Sequence, residues 1–97
     1  MKREKALSLL KAHREDIQRR FAVKQLGLFG STARDEARED SDVDVLVEFE
    51  GPATFDGYMD LKFFLEDLFS TQVDLVTKDS IKPRMRPHIE KDLIHVT

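Results

Sequence analysis

Ser41-Asp42-Val43-Asp44-Val45-Leu46-Val47-Glu48-Phe49 is the stretch that decides how this chain folds. Alternation sends Val43, Val45 and Val47 to one face and Asp44, Leu46 and Glu48 to the other, the pattern of a half-buried strand. Gly51-Pro52 breaks the pattern after it. On its upstream side, Lys24 to Phe29 reads as a short strand running into Gly30-Ser31. Ser31 is a good helix N-cap there, and Thr32 to Arg38 has room for two helical turns. Residues 3–20 set Ala6, Leu10, His13, Ile17 and Phe21 at helical spacing, with charged residues on the opposite face.

Downstream, Thr54 to Phe69 carries Leu61, Phe64, Leu65, Leu68 and Phe69 at i, i+3, i+4, i+7 and i+8, the strongest core stripe in the chain. Phe55, Tyr58, Phe63, Phe64 and Phe69 read mostly as core, with Phe63 off the main stripe and open to a partner. Gln72 to Thr77 is a third strand. Pro83 and Pro87 interrupt the C-terminal segment, leaving a short helix near 84–91 and a final strand at 93–96. Strands alternating with helices give an α/β (α+β) fold, a small mixed sheet of three to four strands with helices packed on one face. Residues 1–97 read as one domain.

Composition narrows the function classes. Hydrophobic residues make up 40% and charged residues 36% of the 97, which fits a folded globular chain. The absence of cysteine excludes disulfides and thiolate metal sites. A net charge of −3 gives no broad electrostatic footprint for nucleic acid, so direct nucleic-acid binding is not expected. No apolar run approaches the ~18–20 residues of a membrane span, and no signal peptide is visible, so the expected location is cytoplasmic.

The chemistry is carried by Gly30-Ser31, ten residues, then Asp42-Val43-Asp44. Two carboxylates two apart on a strand project from the same side, roughly 6–7 Å apart. Like charges there are unfavourable unless something positive sits between them, and a hard cation such as Mg²⁺ suits oxygen ligands while leaving positions for phosphates. Asp74, between Val73 and Leu75, repeats the oddity in another apolar strand. Three carboxylates on neighbouring strands have the donors for two ions. Gly30 lets backbone approach a phosphate, and the helix beginning at Ser31 offers unpaired N–H groups to a triphosphate. Arg34 adds a planar donor fork, unless it pairs with Glu39 or Asp42 instead. Gly-Ser alone and Asp-x-Asp alone carry little weight. All four residues at this spacing should arise by chance in about one chain of this length in a thousand.

Leu28-Phe29-Gly30-Ser31-Thr32-Ala33-Arg34 and Ser41-Asp42-Val43-Asp44-Val45-Leu46-Val47 together resemble the signature of the DNA polymerase β-type nucleotidyltransferases. With Val73-Asp74-Leu75-Val76-Thr77, the chain is similar to the minimal nucleotidyltransferases of the MntA-like type, which are encoded beside HEPN-domain proteins in toxin–antitoxin pairs. The resemblance implies that Asp42, Asp44 and Asp74 are catalytic metal ligands and that Gly30 and Ser31 contact the triphosphate. It further implies transfer of AMP from ATP, with Mg²⁺, to a tyrosine of a HEPN toxin in a hetero-oligomer. Asp35 departs from the glycine common at that position in the family, and is expected to face solvent.

Two readings of other classes stand beside this one. The chain is alternatively a non-catalytic antitoxin that neutralises a partner by occlusion, or an enzyme of the same fold acting on a small molecule or an RNA end. Both His88 and His95 are given no role. Lys82-Pro83-Arg84-Met85-Arg86 reads as a solvated basic face, and Arg38 as surface.

Overall fold

A computed structural model describes all residues, Met1–Thr97. Valine alternation does what it predicts. Strand β2, Val43–Phe49, buries Val43, Val45 and Val47 completely and leaves Asp44, Leu46 and Glu48 partly exposed on the reverse face. It lies inside a four-stranded sheet of order β3-β2-β1-β4, with β1 at Val23–Phe29, β3 at Val73–Thr77 and β4 at Ile94–His95. β1 runs antiparallel to both β2 and β4, whereas β3 runs parallel to β2.

The valine face is covered by α1 (Arg3–Ala12), α2 (Arg14–Phe21) and α4 (Phe55–Phe69). Ala6, Leu10, Ile17, Leu61, Leu65 and Phe69 meet Leu26, Leu28, Val73 and Leu75 there in one core. Each fully buried leucine or valine in it contributes about 1.5–3 kcal/mol relative to exposure. Thr54 caps α4 by accepting from Gly57 N–H at 3.0 Å, which fixes where that helix begins. The first helical stretch is divided at His13, whose φ of −107° and ψ of 9° leave the helical region, so one expected helix is two. No helix is long and apolar enough to cross a membrane.

Two further expectations need correction. Phe55 is 77% exposed, because as the first residue of α4 it precedes the buried stripe; Phe63, at 55%, is exposed as its off-stripe position suggests. The helix after Gly30 is a single turn, α3 at Gly30–Ala33, with Phe29 rather than Ser31 in the cap position. Asp35 adopts φ +62° and Glu36 N–H returns to Ser31 C=O at 2.8 Å, so the chain turns away before a second helical turn forms. Finally, α5 (Arg86–Asp92) and Leu93 border a groove on the other face of the sheet, beside Leu46 and Gly27.

Candidate active site

Antiparallel and parallel pairing together bring the chemistry-bearing residues to one end of the sheet. In the register, Phe29 of β1 is opposite Asp44 of β2, and Asp44 is matched with Asp74 of β3. Partners in a sheet row share a face and lie about 4.8 Å apart between strands. Asp44 and Asp74 are therefore neighbours on the face away from the valine core. Asp42 precedes β2 at the same end and is exposed, as is Asp74, while Asp44 is half-buried.

Electrostatics follow from this placement. Burial pushes the Asp44 carboxyl up to about 6, helped by the nearby charges of Asp74 and Asp42; the Arg34 guanidinium pulls the other way. Asp42, Asp44 and Asp74 do not close into a group of three at ligand spacing. Asp42 and Asp74 are both exposed, so two of the three carboxylates are solvated. The donor set suits a hard divalent cation: oxygen-only side chains, one of them partly desolvated beside two like charges.

Gly30 closes the other side. Its φ of +72° lies in the left-handed region, and a Cβ built there would overlap Asp44 Oδ2. Glycine is thus required twice, once by the backbone and once by the carboxylate packed against it. Ser31 follows, half-buried, in a turn whose leading N–H groups lack intrahelical partners. A one-turn helix has little macrodipole, so the turn offers individual N–H donors rather than the field of a longer helix. Thr32 beside it is fully buried, and its Oγ1 has no hydrogen-bond partner.

Arg34 pairs with neither Glu39 nor Asp42. Its Nη1 donates to Asp92 Oδ2 at 2.6 Å and its Nε donates to Glu36 Oε2 at 3.1 Å. These bonds, with Asp92 first, raise the guanidinium further above its already high range. Asp92 and Glu36 carry no motif signal. The one sequence clue to Asp92 is an acidic residue ending a short helix, where the dipole disfavours it. Asp35 is exposed, as expected, and accepts from Arg3 N–H at 3.0 Å.

Residues 10–96 match the family described as nucleotidyltransferase domain. Among characterised sequences, protein adenylyltransferase MntA of Thermococcus cleftensis is 40% identical over 93 residues, covering 96% of this chain and 94% of the relative. A solved structure assigned as a minimal nucleotidyltransferase superposes with a TM-score of 0.81 at 36% identity, over 97% of this chain and 95% of that one. The same fold occurs in the complex of the tri-AMPylated Shewanella oneidensis HEPN toxin with MNT antitoxin, at a TM-score of 0.69 and 17% identity, over 94% of this chain and 71% of that one.

Proposed function

The chain belongs to the nucleotidyltransferase family, and from that premise we propose that it moves AMP from ATP onto a tyrosine of a HEPN-domain toxin in the cytoplasm, and so serves as that toxin's antitoxin. The observation that carries this reading is the side-by-side register of Asp44 and Asp74, with Gly30 packed against the first. Whole-length similarity to a protein adenylyltransferase supports a protein acceptor.

In this reading Asp42, Asp44 and Asp74 hold two Mg²⁺ ions, and the backbone of Gly30 and Ser31 with the Arg34 guanidinium binds the triphosphate. Bound there, the ions supply positive charge against the negative charge that develops around phosphorus. Gly30 lets the turn approach the phosphates without a side chain between them. Asp74 lies exposed on β3, the edge strand of the sheet, so it is the carboxylate that an incoming acceptor meets first. The acceptor hydroxyl oxygen forms a bond to the α phosphorus while the bond from that phosphorus to pyrophosphate breaks. Its proton passes to the Asp74 carboxylate, and pyrophosphate leaves.

The test is transfer of labelled AMP from ATP to the HEPN partner in the presence of Mg²⁺. Label should appear on the toxin with the native protein and be lost with Asp42→Ala/Asp44→Ala. Undiminished transfer by the double variant, or none by the native protein, overturns the reading. Full neutralisation of the toxin by the double variant would favour occlusion instead.

A further inference from the structure

We infer that Asp92 is a positioning residue, whose carboxylate holds the Arg34 guanidinium at the end of the sheet where Gly30, Asp44 and Asp74 meet, so that the uncommitted donors of Arg34 are set for an incoming polyphosphate. The inference rests on the reading of that end as the nucleotide site and adds to it a residue that no motif contains.

The geometry begins with topology. β4 pairs with β1 at Leu28–Ile94, which carries the end of α5 back to the Gly30 end of the sheet, 58 positions along the chain from Arg34. Asp92 is the last residue of α5, where a carboxylate faces the negative end of the helix dipole. Its placement there is compensated by the Arg34 contact, at 2.6 Å. The Asp92 side chain is 14% exposed against 65% for Glu36, so Asp92 is the ordered anchor and Glu36 the solvated one.

Donor arithmetic leaves the guanidinium available. Arginine has five N–H groups in a planar fork. Nε serves Glu36 and one N–H of Nη1 serves Asp92, so three remain, including both on Nη2. A fork already fixed on one side loses less freedom when an anion engages the other, which is the usual advantage of preorganisation.

Calorimetric titration with the Mg²⁺ salt of ATP, joined to transfer kinetics, tests this with Asp92→Asn, Asp92→Glu, Arg34→Gln and the pair Arg34→Gln/Asp92→Asn. Loss of the anchoring charge in Asp92→Asn should weaken ATP binding and raise KM for ATP about tenfold, with kcat held within about twofold. Asp92→Glu should recover most of the affinity. In the Arg34→Gln background, Asp92→Asn should change nothing further. Thermal melts of each variant separate these effects from folding, and Asp92→Ser replaces Asp92→Asn should the latter not fold. Native ATP affinity in folded Asp92→Asn or Asp92→Ser overturns the inference, as does an equal loss without Arg34. Absence of label transfer by the native protein would overturn the proposed reaction alone, because ATP binding still reports on the pair.

Discussion

Asp44 and Asp74 occupy matched positions on adjacent parallel strands, so two carboxylates that are 30 positions apart in sequence share one row of the sheet. That row is a cost to the isolated protein. Half-buried and beside two other acids, Asp44 is pushed from 3.8 to about 6, so the folded state binds its proton more tightly than the unfolded chain does. The sign follows from linkage: a raised carboxyl favours folding while protonated, and that contribution is lost as pH rises from about 4 through about 6.

Melting temperatures from pH 4 to 8, compared between native and Asp44→Asn proteins, check the point. The native protein should lose ground to the variant as pH rises through about 6, and the variant should be the more stable of the two at pH 8. Millimolar Mg²⁺ should raise the native melting temperature more at pH 8 than at pH 5, because a ligand that prefers the ionised carboxylate stabilises only where that form exists. A difference that is flat across this window would show that Asp44 does not carry the strain.

Gly30 should be irreplaceable for two separable reasons. An L side chain at φ +72° costs about 1–2 kcal/mol from backbone strain alone. Overlap with Asp44 Oδ2 adds to that, so Gly30→Ala should be destabilised by more than the strain and should lose activity. Removing the carboxylate relieves the overlap. Gly30→Ala/Asp44→Ala should therefore be more stable than the sum of the single changes, measured by chemical denaturation, as contacting residues are non-additive. Strict additivity would mean that the turn and the carboxylate are independent.

On α4, depth should follow the stripe. Leu65→Ala, fully buried, should cost about 2–5 kcal/mol, whereas Phe63→Ser, two residues earlier and 55% exposed, should stay within roughly 0.5 kcal/mol. This contrast is also what was legible from sequence. Period-2 valines and the i, i+3, i+4 stripe are local signals, and both place their residues correctly. Asp42, Asp44, Gly30 and Ser31 fall within one short loop of each other, so their grouping at one end of the sheet was legible as well.

What escaped the sequence is non-local or a matter of turn geometry. Three carboxylates on neighbouring strands are expected from the sequence, but the row-for-row match of Asp74 to Asp44 needs the parallel register, and Arg34 finds Asp92 only because β4 returns to β1. Ser31 looked like an N-cap because serine is a good one, but the left-handed conformation of Asp35 ends α3 after one turn. Asp35 tolerates that conformation better than most side chains, since aspartate is among the few residues that visit it.

The same left-handed geometry marks two other helix ends. Ala22 follows α2 at φ 53°, ψ 47°, and Ser70 follows α4 at φ 56°, ψ 35°. Both are exposed, and both sit where helices most often place glycine. A Cβ in this region costs about 1–2 kcal/mol, while glycine in the unfolded chain gives back roughly 0.5–1 kcal/mol through its extra freedom. The difference favours glycine at each site, by about 0.5–1 kcal/mol. Ala22→Gly and Ser70→Gly should each raise the denaturation midpoint without changing the slope, since neither alters the surface exposed on unfolding. Ala22 adjoins Glu50 at the end of the sheet opposite the Asp44–Asp74 row, so Ala22→Gly should also leave nucleotide affinity unchanged. A lowered midpoint would mean that the backbone at these helix ends is not held in the left-handed region in solution.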